Sequence, residues 1–189
     1  MDSVDAILQA AERRFFEYGP KKSTMAEIAA DCAMSVGNLY RHFTSKEAIV
    51  VACMERYLTE RLRIGIAAAE ACDDALDALR AFAQQRLRFA HARFASARHL
   101  PDLVALVDAR HRDVLNAFDR RVIDALRVIL ERGVAQGRFS CTDPARTAGD
   151  IHHAMLRYNH PVTLRETPLA VLQEDLDRLI GLFYRGLHA

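Results

Sequence analysis

Apolar residues recur at three- and four-residue intervals along nearly the whole chain, which is the spacing of one face of an α-helix. Val4, Ile7, Leu8, Ala11, Phe15 and Phe16 form one stripe and predict a helix over Val4–Tyr18, stopped by Gly19 and Pro20. Met25, Ile28, Ala29 and Cys32 carry the next stripe, then Leu39 and Phe43, then a long helix from Ser45 to about Ile64. Beyond it, Leu76, Leu79, Phe82, Ala83, Leu87 and Ala90 define a helix from Asp73 or Asp74 to about Ala97. A short helix follows over Leu100 to about Ala109, and a long one from Arg112 to about Ala135, ended by Gly137. Asp143-Pro144 and Thr167-Pro168 each pair a capping residue with a proline at the first helical position, opening helices that run to about Asn159 and to the C-terminal region. His160-Pro161 is read as a stop. The pattern predicts an all-α fold of about nine helices, without a convincing strand, repeat or low-complexity segment.

The stretch Thr24–Lys46 is the most compressed part of the pattern. Thr24 and Glu27 stand at capping-box spacing, Ser35 can cap the following helix, and Thr44 and Glu47 form a second candidate box. Three helix starts within some twenty residues leave only short helices between them, which is the layout of a helix-turn-helix. In its second helix Leu39 and Phe43 point inward, leaving Val36, Asn38, Tyr40, Arg41 and His42 outward or sideways. With Val4–Tyr18 as a third wall, residues 1–48 read as a three-helix DNA-binding module and residues 49–189 as a second, helical domain.

Residues 4–50 resemble the DNA-binding domain of the tetracycline-repressor (TetR) family. The resemblance rests on Phe15-Phe16-Glu17-Tyr18-Gly19, Thr24-Met25-Ala26-Glu27-Ile28-Ala29, Gly37-Asn38-Leu39-Tyr40-Arg41-His42-Phe43 and Ser45-Lys46-Glu47-Ala48. It covers about a quarter of the chain; the rest matches in length and helical character. It implies a ligand-responsive regulator, most often a homodimeric repressor released from double-stranded operator DNA by a small-molecule effector. The second domain would then bind the effector and form the dimer.

Charge alters this picture only locally. The chain of 189 residues has a formal net charge of +1, so bulk charge does not mark a nucleic-acid binder. Lys21, Lys22, Arg41 and Lys46 nevertheless flank the helix-turn-helix, where phosphates would lie. Ser35, Val36 and Asn38 could reach base edges, with Val36 meeting a thymine methyl and Asn38 an adenine or a phosphate. Gly37 lets backbone approach DNA. Thr24 is placed to hold a phosphate through hydroxyl and amide, and Tyr40 and Lys46 resemble the family's phosphate clamps, with Arg41 and His42 beside them. Thr24 and Ser35 could equally be plain helix caps, and Tyr40 a buried ring with a wet hydroxyl.

For the second domain, the resemblance implies a pocket among the middle helices, with Phe82, Phe89, Phe94, Phe118, His152, Met155 and Tyr158 as candidate walls. Aromatic residues at helical spacing also serve as simple core. Ile151, Met155 and Tyr158 on one C-terminal helix, and Leu176, Leu179, Ile180, Phe183 and Leu187 on the next, carry enough apolar surface to pair with a second copy. Alternatively, these faces close the subunit's own core.

His152 and His153 are adjacent and so about 100° apart on a helix, which disfavours a shared ion. His160, His91, His99 and His111 add no metal spacing, and Cys32, Cys53, Cys72 and Cys141 are unpaired in pattern. No metal or cofactor is therefore expected, and a thiol redox switch has only these scattered cysteines behind it. No apolar run approaches the ~20 residues of a membrane span, and no secretory leader is visible, so a cytoplasmic protein without a membrane partner is expected. No nucleophile–base pair or glycine-rich phosphate loop supports an enzyme. The rival readings are a helical ligand-binding or redox- or metal-sensing protein that kept the fold, and an activator in place of a repressor.

Overall fold

The computed structural model describes residues 3–187. Ten α-helices follow one another among the described residues: α1 (Ser3–Tyr18), α2 (Met25–Asp31), α3 (Val36–His42), α4 (Lys46–Glu70), α5 (Ala75–Ser96), α6 (Leu100–Arg110), α7 (Arg112–Ala135), α8 (Pro144–Ala154), α9 (Pro161–Glu166) and α10 (Leu169–Leu187). A single 3-10 turn, Leu156–Asn159, lies between α8 and α9. There is no strand among the described residues, as the helical periodicity predicts.

The helices gather into two compact units. The first holds the N-terminal residues through Leu58 together with Ser96–Asn116; the second holds Thr59–Ala95 and the chain from Ala117 onward. In the first unit α1 buries Ile7, Ala10, Ala11 and Phe15 in a core shared with Ile28, Leu39, Ile49, Met54, Leu103 and Val107. Gly19 ends α1 at φ +84°, a left-handed conformation that glycine adopts without strain, and its N–H donates to Phe15 O at 3.0 Å. An added Cβ on Gly19 would lie 3.2 Å from His99 Nδ1, and the His99 N–H donates to Phe16 O, so the start of α6 packs on the end of α1.

In the second unit the amphipathic stripe of α7, Phe118, Val122, Leu126, Ile129 and Leu130, is buried, as are Leu76, Leu79, Phe82 and Leu87 of α5 and Leu172, Leu176 and Ile180 of α10. Asp74 Oδ1 accepts from the N–H groups of Leu76 and Asp77, which makes it the cap of α5. Gly137 takes φ +67° just after α7.

Several expectations are corrected. The helix opened by Ser45 runs to Glu70 and not only to Ile64, because the alanines at 67–69 continue it without a breaker. Its cap is Ser45, whose Oγ accepts from Ala48 N at 3.1 Å; Thr44 and Glu47 form no box. The helix from Pro144 stops at Ala154, followed by the 3-10 turn at Leu156–Asn159. Pro161 does not merely stop a helix: it opens α9, with His160 extended before it as a pre-proline residue prefers. Thr167 closes α9 instead of capping α10, which begins one residue later than a cap at 167 would give. Of the dimer candidates, Ile151, Met155, Leu176 and Ile180 are each buried within the chain, so they fill its own core and offer no surface. Leu179, Phe183 and Leu187 are half-buried, while Leu182 is 57% exposed.

Candidate nucleic-acid interface

Local chemistry sets both helices of the interface. Thr24 Oγ1 accepts from Glu27 N at 3.2 Å, and the Thr24 N–H and hydroxyl donate to Glu27 Oε2 at 2.8 Å, so the capping box is complete. These bonds hold the Glu27 carboxyl below its ordinary pKa. The turn is closed by Met34 N donating to Ala29 O at 2.9 Å, with Ala33 at φ +54°, a conformation uncommon outside glycine. Ser35 then caps α3 by accepting from Asn38 N at 3.2 Å.

Arg14 of α1 holds α2 from behind. Its Nε and Nη2 donate to the two carboxylate oxygens of Asp31 at 2.7 and 3.0 Å, and Nη1 lies 3.2 Å from Glu27 Oε1. The bidentate bond holds the Asp31 carboxyl below its usual range. Lys46 Nζ donates to the backbone oxygen of Ser23 at 2.8 Å, and the buried Ser23 hydroxyl donates to Gly19 O at 2.8 Å. The N-terminus of α4 is thereby tied to the loop that precedes α2.

The result is a short helix standing out from its module. Only Leu39 of α3 is buried. Thr24, Ser35, Val36, Gly37, Tyr40, Arg41 and His42 are all exposed, Asn38 and Lys46 half-buried. Tyr40 is 51% exposed, which removes the buried-ring alternative. A Cβ built on Gly37 meets no atom within 4 Å, so nothing in the chain itself demands glycine there. Thr24 and Ser35 do act as caps, as their alternative reading held, while their hydroxyls stay at the surface.

The candidate pocket residues scatter in the second unit. Phe82, Phe94, Phe118, His152, Met155 and Tyr158 are buried; Phe89 is half-buried under the Arg93 guanidinium, 5.4 Å from its ring centre. His152, Met155 and Tyr158 line one small cavity with Arg61, Arg86 and Asn159. Phe82 lines a separate, largely apolar cavity of about 260 Å³ with Ile66, Val128 and Ile129, which Glu70 and Arg132 also border. Phe89 and Phe94 line neither. Arg61 and Arg86 were not foreseen, although each interrupts an apolar stripe, Leu58–Leu62 and Phe82–Leu87, and that interruption was the available signal. No group of three or more metal-ligating side chains occurs among the described residues, and no helix there is long and apolar enough to cross a membrane.

An exposed, capped second helix on a three-helix module, with no strand among the described residues, has the form of a helix-turn-helix transcriptional regulator. Residues 7–53 match the family of bacterial regulatory proteins of the tetR type, and residues 75–180 match the tetracyclin repressor-like C-terminal domain; the chain belongs to the TetR family. Over 46 residues it is 48% identical to the HTH-type transcriptional regulator UidR of Escherichia coli (strain K12), covering 24% of each chain. Over 59 residues it is 37% identical to the HTH-type transcriptional repressor Rv3405c of Mycobacterium tuberculosis, covering 31% of each. The chain thus spans well under two thirds of the curated relatives it matches. A transcriptional regulator from Cytophaga hutchinsonii shares the fold at TM-score 0.78 and 21% identity over 98% of both chains. AibR, solved with isovaleryl coenzyme A and operator DNA, does so at TM-score 0.60 and 20% identity over 96% of this chain and 97% of that one.

Proposed function

We propose that the chain is a homodimeric operator-binding repressor that a small-molecule effector releases from DNA. The observation that carries this reading is α3, a seven-residue helix with one buried residue and an outward face of Val36, Gly37, Tyr40, Arg41 and His42. Its dimensions suit a major groove, with the first residues against base edges and the flanking cations on phosphates. Val36 and Asn38 read bases. Ser35, Tyr40 and Lys46 hold phosphates; Lys46 has donors to spare beyond its bond to Ser23, whereas the N–H and hydroxyl of Thr24 both go to Glu27, which leaves Thr24 to set the start of α2. Arg41 and His42 add backbone contacts. The functional division falls at residues 1–48 and 49–189.

Two copies related by a two-fold axis would read half-sites about 34 Å apart, or a multiple of it. The half-buried Leu179 and Phe183 and the exposed Leu182 of α10 supply the apolar face for that pairing. The effector occupies the second unit. The repressor named among the relatives, and the isovaleryl coenzyme A and operator DNA in complex with AibR, support these assignments.

The test begins with selection of bound sequences from random duplex DNA by the full-length protein. Tyr40→Ala combined with Lys46→Ala should then abolish binding to the selected sequence at physiological salt, with the dimer intact by sedimentation. Undiminished binding by a folded double variant overturns the contact assignment, and a monomer that binds one half-site overturns the dimer.

A further inference from the structure

Three helices of the second unit meet around a cavity of about 260 Å³. Ile66, Ala69 and Glu70 border it from α4, at the three- and four-residue spacing of one helix face. Ala125, Val128 and Arg132 border it from α7, and Phe82 of α5 completes the wall. Phe82 is fully buried, whereas Glu70 and Val128 are exposed, Val128 at 56%. The cavity therefore opens to solvent beside Val128 and Glu70 and closes on the Phe82 ring.

Apart from Glu70 and Arg132, every side chain in the lining is hydrocarbon. Those two bring one charge of each sign, so an anion gains at Arg132 what it loses at Glu70, and a cation does the reverse. An ionised ligand would also leave water for an apolar wall, a cost that no net opposite charge offsets. Arg132 keeps hydrogen-bonding capacity in hand. Its Nη2 donates to Ala69 O at 3.4 Å, long for such a bond, and its buried Nε meets no acceptor among the described residues. Ala69 belongs to the lining, which places the guanidinium at the cavity's edge.

Volume sets the size of the occupant. An apolar cavity of about 150 Å³ accommodates benzene, so this larger one suits a substituted ring or two fused rings, which can lie against Phe82. We infer that the effector is an uncharged, mainly apolar molecule of one or two rings, seated between α4, α5 and α7, with one oxygen accepting from Arg132. This rests on the reading above that the second unit binds the effector. It adds the ligand's charge, its size and the residue that orients it.

Acetophenone and acetylnaphthalene are titrated into the full-length protein without DNA, each beside the ethyl hydrocarbon, the carboxylate and the methylammonium ion of the same ring system. Thermal melting and calorimetry are the readouts. At least one ketone should raise the melting temperature and bind about tenfold or more tightly than either ion. Arg132→Met should weaken that ketone about tenfold while moving the hydrocarbon by no more than about twofold. Ala125→Phe, which fills the space from a half-buried position, should abolish binding of ketone and hydrocarbon alike; Ile66→Phe, also half-buried, carries the same test if Ala125→Phe does not fold. Neither ketone binding below about 1 mM, an ion binding as well as its ketone, or undiminished ketone binding by the folded variants would each overturn the inference. A filled variant that sediments as a monomer beside a dimeric parent would give this face to a second copy and overturn it too. Operator binding by the same unliganded protein is measured separately, so a failure here is distinguishable from a failure of the DNA-binding assignment.

Discussion

His111 Nε2 lies 2.9 Å from Glu47 Oε1, joining the corner between α6 and α7 to the first turn of α4 within the first unit. Arg110 Nη1 approaches the other carboxylate oxygen at 3.4 Å. The bond to His111 is the main cause holding the Glu47 carboxyl below its usual range, with the Arg110 charge acting in the same sense. Placed at a helix N-terminus, the carboxylate also meets the positive end of the α4 dipole. Glu47 is thus a tie between helices far apart in sequence.

A pH dependence follows from the direction of that shift. A carboxyl whose folded pKa lies below its unfolded value, about 4.3 for glutamate, stabilises the fold above that value. The contribution is lost as pH falls through the folded pKa. Glu47→Gln should therefore melt below the parent at neutral pH, and the gap should close below about pH 4. Melting curves of both proteins from neutral pH downward check this; a gap that persists unchanged into acid rejects the role.

Gly133 of α7 is a packing glycine. A Cβ there would stand 2.0 Å from Phe139 Cδ2 and 2.3 Å from Cε2, and Phe139 is itself buried and in edge contact with Tyr184 at 6.4 Å between ring centres. Gly133→Ala should cost about 1–3 kcal/mol by overpacking, read as a lower midpoint in urea. Gly149 of α8, where an added Cβ meets nothing within 4 Å, serves as the contrast. Gly149→Ala should stabilise by roughly 0.5–1 kcal/mol, through helix propensity alone.

Arg41 lies exposed in the last turn of α3. If it contacts a phosphate, Arg41→Ala should weaken binding similarly for all sequences and lower the slope of log affinity against log salt by about 1. An unchanged slope with altered sequence preference would place Arg41 on a base edge instead.

The thiols differ in burial. Cys53 is 2% exposed, its Sγ is 3.9 Å from Leu8 O, and burial raises its pKa far above the ordinary thiol value. Cys32, Cys72 and Cys141 are only half-buried. In the native protein a maleimide should label Cys53 last, and mass spectrometry should find it fully modified only after denaturation. Rapid native labelling at Cys53 would mean that α4 opens from α1 far more readily than its packing implies.

The two helices of the DNA-facing module were legible because their starts are chemical and local. Thr24 with Glu27 and Ser35 with Asn38 act over three residues, and side chain meets backbone at that spacing whatever the rest of the chain does. The glycine stop at Gly19 and the proline start at Pro144 are legible for the same reason. Thr44 and Glu47 show where such reading fails. The residues suit a capping box, yet Ser45 takes the cap and Glu47 is drawn to His111, 64 residues away.

By itself, then, the order of residues determined an all-helical chain, the ends of most helices, and a short exposed helix after Ser35, since each depends on periodicity or on groups a turn apart. Tertiary packing alone decided which apolar faces are interior, so that Ile151, Leu176 and Ile180 became core. It also brought Arg61 to Asn159 across 98 positions and set Arg86 between two phenylalanine rings. Apolar spacing tells a helix to bury a face but not against what, and a side chain's partner over such distances depends on helix directions that no local segment encodes.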